Sequence, residues 1–190
     1  MKTGLGFILL ILLFISLCGC SDEIPIENVV SAPEKNIFTQ EYTEISDFFF
    51  KEGFIGESKD SIPIPKTNLF MENDNSLGFD YVTMFGMKGN ITFTLEEGKV
   101  FSATFGSNSY IEKNLYKHTL TSANQKTAKM LNVTLKEFDY VGPEEMDEYE
   151  SLFSGKGILK SVYETGDTII TLSAIGTNNE AVITVSQILK

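Results

Sequence analysis

The 190-residue sequence contains no arginine and no tryptophan, and it has only one histidine and two cysteines. A single histidine cannot make a histidine-based zinc site, which takes three or four ligands. The missing arginine removes the side chain best suited to bidentate contacts with phosphate. With 26 acidic residues against 15 lysines and a net charge of −11, the chain also lacks the clustered cations that neutralise a nucleic-acid backbone. We therefore expect no nucleic-acid partner.

Sequence motifs of the common catalytic classes are missing as well. The chain contains neither G-x-S-x-G nor S-x-x-K, and it has no Walker-type loop and no G-x-G-x-x-G motif for a nucleotide. We interpret the single histidine, His118, as a surface or partly packed residue, because it stands between Lys117 and Thr119 in a weakly helical stretch. We therefore name no catalytic residue, no metal ligand and no cofactor.

The segment Asp74–Asp80 superficially resembles the beginning of a calcium-binding loop. It has neither the glycine that such a loop needs at its sixth position nor the glutamate at its twelfth. We attribute the resemblance to chance, although the sequence alone leaves open whether a cation binds there.

The longest apolar run of the chain lies near its N-terminus. Lys2 supplies one positive charge, and Phe7–Ile15 follows as an unbroken run of apolar residues. This run is shorter than the roughly 20 residues that span a bilayer, but its length is typical of an export signal peptide. The four residues Leu17-Cys18-Gly19-Cys20 come directly afterwards.

These four residues resemble the lipobox of bacterial lipoproteins. The resemblance implies that Cys20 carries a diacylglyceryl group and that the signal peptide is cleaved after Gly19. Cys18 departs from the usual pattern, in which alanine, serine or threonine is commoner at this position. The resemblance covers residues 1–20 only, and it implies nothing about the globular part. A signal that is not cleaved, or a plain secretory signal with a fortuitous cysteine, is the alternative.

Lipidation would determine where the protein resides. Two acyl chains hold a protein stably on a membrane, and they would consume Cys20, the only cysteine left after cleavage. We therefore expect an extracytoplasmic lipoprotein of the cell envelope. The missing arginine, beside abundant lysine, asparagine, isoleucine and phenylalanine, is typical of an AT-rich genome and favours a Gram-positive host. In such a host the anchor would lie in the outer face of the cytoplasmic membrane.

We divide the chain into three regions. Residues 1–19 are the predicted signal peptide, residues 20–36 the lipidated cysteine with a flexible tether, and residues 37–190 a single globular domain. The tether is rich in acidic residues and contains two prolines, and fully extended it would reach about 50 Å. An edge strand through Ile24–Val30 is an alternative for part of the tether.

The globular region begins with a predicted helix. Thr39 is placed to cap its N-terminus and Gly53 to end it. Its apolar face is formed by four residues at helical spacing: Phe38, Tyr42, Ile45 and Phe49.

Alternation of apolar and polar residues predicts three strands after this helix. In the first strand, Phe79, Tyr81, Thr83 and Phe85 are predicted to share one face. The second strand runs through Ile91, Phe93 and Leu95, and the third is Val100–Phe105 after a turn at Glu97-Gly98.

The middle of the chain is predicted to be helical. Capping boxes at Ser109–Glu112 and Ser122–Gln125 indicate helix starts, and Asn132 indicates an end. Pro143 indicates the start of a further helix, which would end at Gly155. Three more strands follow, at Gly157–Glu164, Thr168–Ile175 and Ala181–Leu189.

We therefore predict an α+β fold, in which two three-stranded meanders build an antiparallel sheet with helices packed on one face. The order admits a degenerate duplication of an α-β-β-β unit. A single α+β domain without internal symmetry is the alternative, because the two halves share almost no sequence.

Charge is unevenly distributed in the middle of the chain. Residues 110–136 carry five lysines and one acid, whereas residues 137–150 carry seven acids and no lysine. We predict an interaction surface from this asymmetry, and two ordinary solvated helix faces are the alternative. The predicted surface comprises Lys113, Lys117, Lys126, Lys129, Glu144, Glu145, Asp147 and Glu148.

From these observations we predict a non-enzymatic binding module, tethered to the membrane by the lipid on Cys20. Its sheet face or edge would contact an envelope protein, a peptide or a small ligand. An envelope hydrolase that uses unassigned carboxylates, or an accessory lipoprotein that binds a sugar or an ion, is the alternative.

Overall fold

The computed structural model describes residues 41–50, 55–108, 115–177 and 180–190, which lie in the compact unit Thr39–Lys190. The lipobox, the tether, the capping box at Ser109–Glu112 and Lys113 lie outside the described residues. Among the described residues, no helix is long and apolar enough to cross a membrane.

Nine strands and three α-helices form the described fold. The strands are β1 (Thr43–Glu44), β2 (Leu69–Asn73), β3 (Ser76–Met84), β4 (Met87–Glu96), β5 (Lys99–Ser107), β6 (Asp139–Val141), β7 (Ile158–Thr165), β8 (Thr168–Thr177) and β9 (Glu180–Leu189). The helices are α1 (Ser46–Phe49), α2 (Tyr116–Leu131) and α3 (Glu148–Phe153), with short 3-10 turns at Lys59–Ser61 and Lys66–Asn68.

All nine strands belong to one sheet. Its order is β1-β3-β4-β5-β9-β8-β7-β6, with β2 pairing to β3. The meanders β3–β5 and β7–β9 are joined by antiparallel pairing of β5 with β9, from Ser102 opposite Ile188 to Gly106 opposite Thr184. This arrangement confirms the predicted α+β fold. The order of the six meander strands is symmetrical about the β5–β9 pair, as a duplication would produce, but the helical segments before the two meanders differ in length.

The core lies between the sheet and the helices. In β4, Ile91, Phe93 and Leu95 are buried whereas Thr94 and Glu96 are exposed, as the alternating pattern predicts. Helix α2 covers the same face of the sheet with side chains at helical spacing: Tyr116, Leu120, Ala123, Asn124, Thr127 and Ala128.

The first predicted helix is wrong at Thr43 and Glu44, which are among the described residues. Thr43 and Glu44 form β1, which pairs in parallel with Val82 and Thr83 of β3. The backbone N–H of Ile45 donates to the Thr83 carbonyl oxygen at 2.9 Å, which stops a helix from forming around this residue. Within the described residues 41–50, only Ser46–Phe49 is helical, so a tertiary partner overrides the local apolar spacing. The predicted cap Thr39 and the predicted end Gly53 lie outside the described residues.

The predicted faces of β3 are also wrong beyond Phe79. A bulge interrupts the register between Phe79 and Val82, and Tyr81 adopts a left-handed conformation with φ of 56°. The bulge inserts one residue and reverses the alternation, so Val82 and Met84 are buried whereas Tyr81 is exposed.

Two predicted helix starts are wrong as well. Helix α2 begins at Tyr116, so Ser122 lies inside it, although the helix ends at a left-handed Asn132 as predicted. Pro143 belongs to a turn, and α3 begins at Glu148 after Asp147 as N-cap. The Asp147 carboxylate accepts hydrogen bonds from two backbone N–H groups of the first turn.

Candidate binding surface

The described lysines of the predicted interaction surface, Lys117, Lys126 and Lys129, are divided between two parts of α2. Lys126 and Lys129 lie in its second half, one turn apart. Lys117 lies nine positions before Lys126, which places it on the opposite side of the helix. Its Nζ is 6.0 Å from the centre of the Tyr116 ring. The structure therefore brings Lys126 and Lys129 together and separates Lys117 from them.

The acidic residues of the predicted surface gather at the start of α3. Glu144 and Glu145 are exposed in the turn before the helix, and Asp147 caps its first turn. The start of α3 lies close to the first turn of α2, since the centres of the Tyr116 and Tyr149 rings are 5.6 Å apart. Burial, and then the charges of Glu148, Tyr149 and Asp147, raise the pKa of Tyr116 to about 12. The capping geometry gives Asp147 a structural role, and whether the cluster also binds a partner stays a prediction.

Three depressions follow one side of α2. The first, of about 140 Å³, is lined by His118, Ser122 and Lys126. The second depression is lined by Lys126, Lys129 and Met130. The third lies at the C-terminal end of the helix and is lined by Met130 and Leu131. Neighbouring depressions share a lining residue, so they follow one another along the helix. We define the α2 groove as this succession of depressions, with His118, Ser122, Lys126, Lys129 and Met130 on the helix and Phe85 opposite.

The middle of the α2 groove carries charges of both signs. Glu44 and Asp47 from the β1–α1 segment face the same depression as Lys126 and Lys129. The Lys126 ammonium donates to the Phe85 carbonyl oxygen at 3.2 Å. Among the ion pairs of the described residues, none involves these four charged side chains.

Glu44 is the most firmly held carboxylate of the α2 groove. It accepts hydrogen bonds from the Ser46 backbone N–H at 2.9 Å, from the Ser46 hydroxyl, and from the Thr83 hydroxyl at 2.8 Å. Partial burial by itself raises the pKa of Glu44, but these hydrogen bonds outweigh it and hold the pKa below its ordinary value. Glu44 therefore keeps its negative charge at neutral pH.

The third depression is a cavity of about 620 Å³ at the C-terminal end of α2. Its described lining is mixed. The apolar residues are Phe50, Ile55, Met130, Leu131, Ile170 and Leu189, and Thr165, Asp167 and Thr168 of the β7–β8 hairpin are polar. Gln187 of β9 also lines it, although only 5% of this residue is exposed. Its side-chain oxygen Oε1 has no hydrogen-bond partner in the described part of the chain. An unpaired polar atom of this kind costs about 1–3 kcal/mol of stability.

The opposite face of the sheet presents hydroxyl groups. Thr92, Thr104, Ser186 and Thr171 are directly opposite one another across β4, β5, β9 and β8. None of these four residues is fully buried. A row of partly exposed apolar residues crosses the same face near one end of the sheet: Val141, Ile158, Ile175 and Val182.

The remaining candidates of the sequence have ordinary positions. His118 is exposed and lines the first depression. Asp74 lies in the turn between β2 and β3, where the Asn75 N–H donates to the Asn73 side chain at 2.9 Å, and Asp80 belongs to β3. The described ranges contain no group of three or more histidine, cysteine, aspartate or glutamate residues placed to hold a metal ion.

Comparison with known proteins finds no family model, no curated protein and no solved structure that matches the chain. Function therefore has to be inferred from the residues of the chain itself. The α2 groove combines residues that the charge pattern indicated, Lys126 and Lys129, with residues that it missed, Glu44, Phe85 and Met130. The missed residues carry no common sequence signal, because β1, β3 and α2 meet only in the folded chain.

Proposed function

We propose that the protein is a non-enzymatic binding module of the cell envelope, anchored to the membrane by lipid on Cys20, and that its α2 groove binds a peptide segment of an envelope protein. The observation that carries the proposal is the succession of three depressions along one side of α2, with Lys126 and Met130 as shared lining residues. The lipobox residues support the anchor.

The dimensions of the α2 groove suit a short peptide. From His118 to Met130 the helix rises about 18 Å, at 1.5 Å per residue. An extended peptide rises about 3.3 Å per residue, so five or six residues would fill this length. The groove offers an exposed ammonium at Lys129, a carboxylate at Asp47 and the flexible, polarisable side chain of Met130. A peptide with acidic, basic and apolar side chains would complement these groups.

The lipid anchor is tested by substituting the two cysteines separately. We expect Cys20→Ser to abolish incorporation of labelled fatty acid and to leave the signal peptide uncleaved. Cys18→Ser is the matched control, and it should retain both lipid and cleavage. Equal labelling of the two variants would refute the assignment of Cys20.

The peptide-binding surface is tested by photocrosslinking in the native host. A photoreactive residue is placed at Ser122 in the α2 groove or at Thr104 on the opposite face of the sheet. We expect one dominant adduct at Ser122, lost when Lys129→Glu is added and retained with Lys66→Glu, a control outside the groove. Adducts at Thr104 alone would place the interaction on the sheet face, and adducts insensitive to Lys129→Glu would refute the proposed contacts.

A further inference from the structure

The exposed aromatic side chains of the described residues gather at one margin of the sheet. Tyr42, Phe70 and Tyr81 are each more than a third exposed, whereas the other large apolar side chains with such exposure in the described ranges are aliphatic. The three aromatic residues lie just before β1, in β2 and in β3, and both β1 and β2 pair with β3 at one edge of the sheet. We define the aromatic margin as these three residues together with Lys88 of β4.

The Phe70 ring lies on the face of the sheet opposite the helices. It stands over Gly78, where an added Cβ would lie 2.7 Å from the ring. Gly78 is directly opposite Thr92, which belongs to the row of hydroxyl groups on that face. Half of the Phe70 surface nevertheless remains exposed, at 52%. The ring is therefore presented to whatever approaches this side of the sheet.

The two tyrosines and Lys88 form a connected group beside it. Lys88 is four positions before Thr92 on β4, so the alternation of the strand places it on the same face. Its ammonium lies 4.6 Å from the centre of the Tyr42 ring, and the centres of the Tyr42 and Tyr81 rings are 5.6 Å apart. Among the ion pairs of the described residues, none involves Lys88. Amphipathic rings of this kind and long lysine side chains are favoured where a membrane meets water.

The aromatic margin is also the part of the sheet at which the chain from Cys20 arrives. Tyr42 follows Cys20 by 22 positions, and a flexible chain of that length has an end-to-end distance of about 25 Å. The opposite edge, β6, is six strand spacings from β3, or about 29 Å farther along the sheet. A lipid on Cys20 would therefore hold the aromatic margin closer to the membrane, on average, than the β6 edge.

We propose that the aromatic margin rests on the surface of the membrane that carries the anchor, with its three rings among the lipid headgroups and Lys88 beside the phosphates. The inference rests on the proposed lipid anchor, and it is independent of a peptide in the α2 groove. Interfacial attachment increases with the apolar area that enters the membrane. Three rings bind weakly by themselves, but a short tether raises their effective concentration at the surface to the millimolar range. The net charge of −11 gives no attraction to anionic lipid, so the rings provide most of the contact.

Fluorescence quenching on the lipidated mature protein tests this orientation. The protein is reconstituted in vesicles of phosphatidylcholine and phosphatidylglycerol that contain a nitroxide-labelled headgroup lipid. Because the lipid consumes Cys20 and Cys18 leaves with the signal peptide, an introduced cysteine would be the one free thiol. A fluorophore is attached either at Asp80→Cys, next to Tyr81, or at Lys160→Cys, five strand spacings away on the same face. We expect strong quenching of the first probe and little quenching of the second.

Removal of the rings tests what holds the domain in this orientation. In Phe70→Ser combined with Tyr81→Asn, quenching of the probe at position 80 should fall to the level of the probe at position 160. Asparagine is chosen because it tolerates the left-handed φ of 56° at position 81. The matched control, Ile158→Ser combined with Ile175→Ser, removes two exposed aliphatic side chains and should leave the quenching unchanged.

The remaining outcomes distinguish this inference from its alternatives. Equal quenching of the two probes in the unsubstituted protein would refute the proposal, and so would quenching that survives removal of the rings. A saturable fluorescence change of an unquenched probe at position 80 on addition of soluble cell-wall glycan fragments would assign the aromatic margin to a carbohydrate instead. Failure of the anchor is recognised separately, because mass spectrometry would then find no fatty acid on Cys20.

Discussion

The Tyr163 hydroxyl closes a buried hydrogen-bond network between the helical layer and the sheet. It donates to Oδ1 of Asn124 in α2 at 2.6 Å, and it accepts from the Lys136 backbone N–H at 3.3 Å. The side-chain amide of Asn124 in turn donates to the Lys136 carbonyl oxygen at 2.8 Å. Three segments of the chain are therefore held by one closed set of contacts.

Tyr163→Phe removes one oxygen atom from this network and leaves the ring in place. Asn124 is 3% exposed and Tyr163 is 1% exposed, so water cannot easily replace the lost hydroxyl. The substitution leaves Oδ1 of Asn124 and the Lys136 N–H without this partner. We expect a loss of about 1–3 kcal/mol in the free energy of unfolding. For a domain of this size, the loss corresponds to a decrease of about 3–9 °C in Tm.

Urea unfolding followed by far-ultraviolet circular dichroism measures this difference. Tyr140→Phe is the matched control, because the Tyr140 hydroxyl contacts the Pro143 carbonyl oxygen at 3.3 Å in an exposed position. We expect the control to lose less than about 0.5 kcal/mol. A free energy of unfolding for Tyr163→Phe that equals that of the control would refute the structural importance of the network.

Three further substitutions test other contacts. Gly176→Ala should destabilise the protein by more than about 3 kcal/mol, because the new Cβ would lie 1.6 Å from the Leu152 carbonyl oxygen of α3. Gly106→Ala is the control, since its Cβ would lie 3.7 Å from the Asn90 side-chain oxygen. Thermal melts should show a lower Tm for the first variant and an unchanged Tm for the second. Because the pKa of Glu44 is lowered, its stabilising effect is present above its ordinary pKa of 4.5 and is lost as the pH falls through the folded-state value. Urea midpoints should therefore show Glu44→Gln below the unsubstituted protein at pH 7 and close to it in acid, with exposed Glu145→Gln unchanged at both. Because the pKa of Tyr116 is raised from 10.0 to about 12, the stability that it contributes below pH 10 should be lost as the pH rises to about 12. The free energy of unfolding of Tyr116→Phe should therefore decrease less between pH 10 and pH 12 than that of the unsubstituted protein. An equally steep decrease in the variant would contradict this assignment.

The two meanders could be predicted from the sequence because their information is local. Strict alternation at Ile91, Phe93 and Leu95 matches one buried face of a strand. The turn at Glu97-Gly98 is also encoded locally, since both residues adopt positive φ, 51° and 76°, in a two-residue hairpin. Such features depend on neighbouring residues only.

The errors arose where a distant segment determines local structure. Tyr42, Ile45 and Phe49 have helical spacing, but Thr43 and Glu44, which lie between them, pair with β3 as a strand. The bulge at Tyr81 is stabilised in part by buried Asn68, whose side chain donates to the Tyr81 carbonyl oxygen at 3.4 Å. Neither contact leaves a signature in the sequence near the residue that it changes.

The candidate site was only partly predictable for the same reason. Clustering of lysines indicated Lys126 and Lys129, but Glu44 and Met130 reach the same depression only through tertiary packing. Gln187 did leave a local signal, because it is polar at a position where the alternation of β9 requires an apolar residue.

The position of β9 has a consequence for how the chain is synthesised. The last described strand occupies the middle of the sheet, where it pairs with β5 on one side and β8 on the other. A chain made from its N-terminus completes the first meander early, but β5 then keeps an unpaired edge until residues up to Ile188 have emerged. At about 5–20 residues per second, the intervening 80 or so residues take roughly 4–16 s. During this interval the exposed edge could pair with another chain, so the newly made protein would depend on being kept apart from its copies until the final strand arrives.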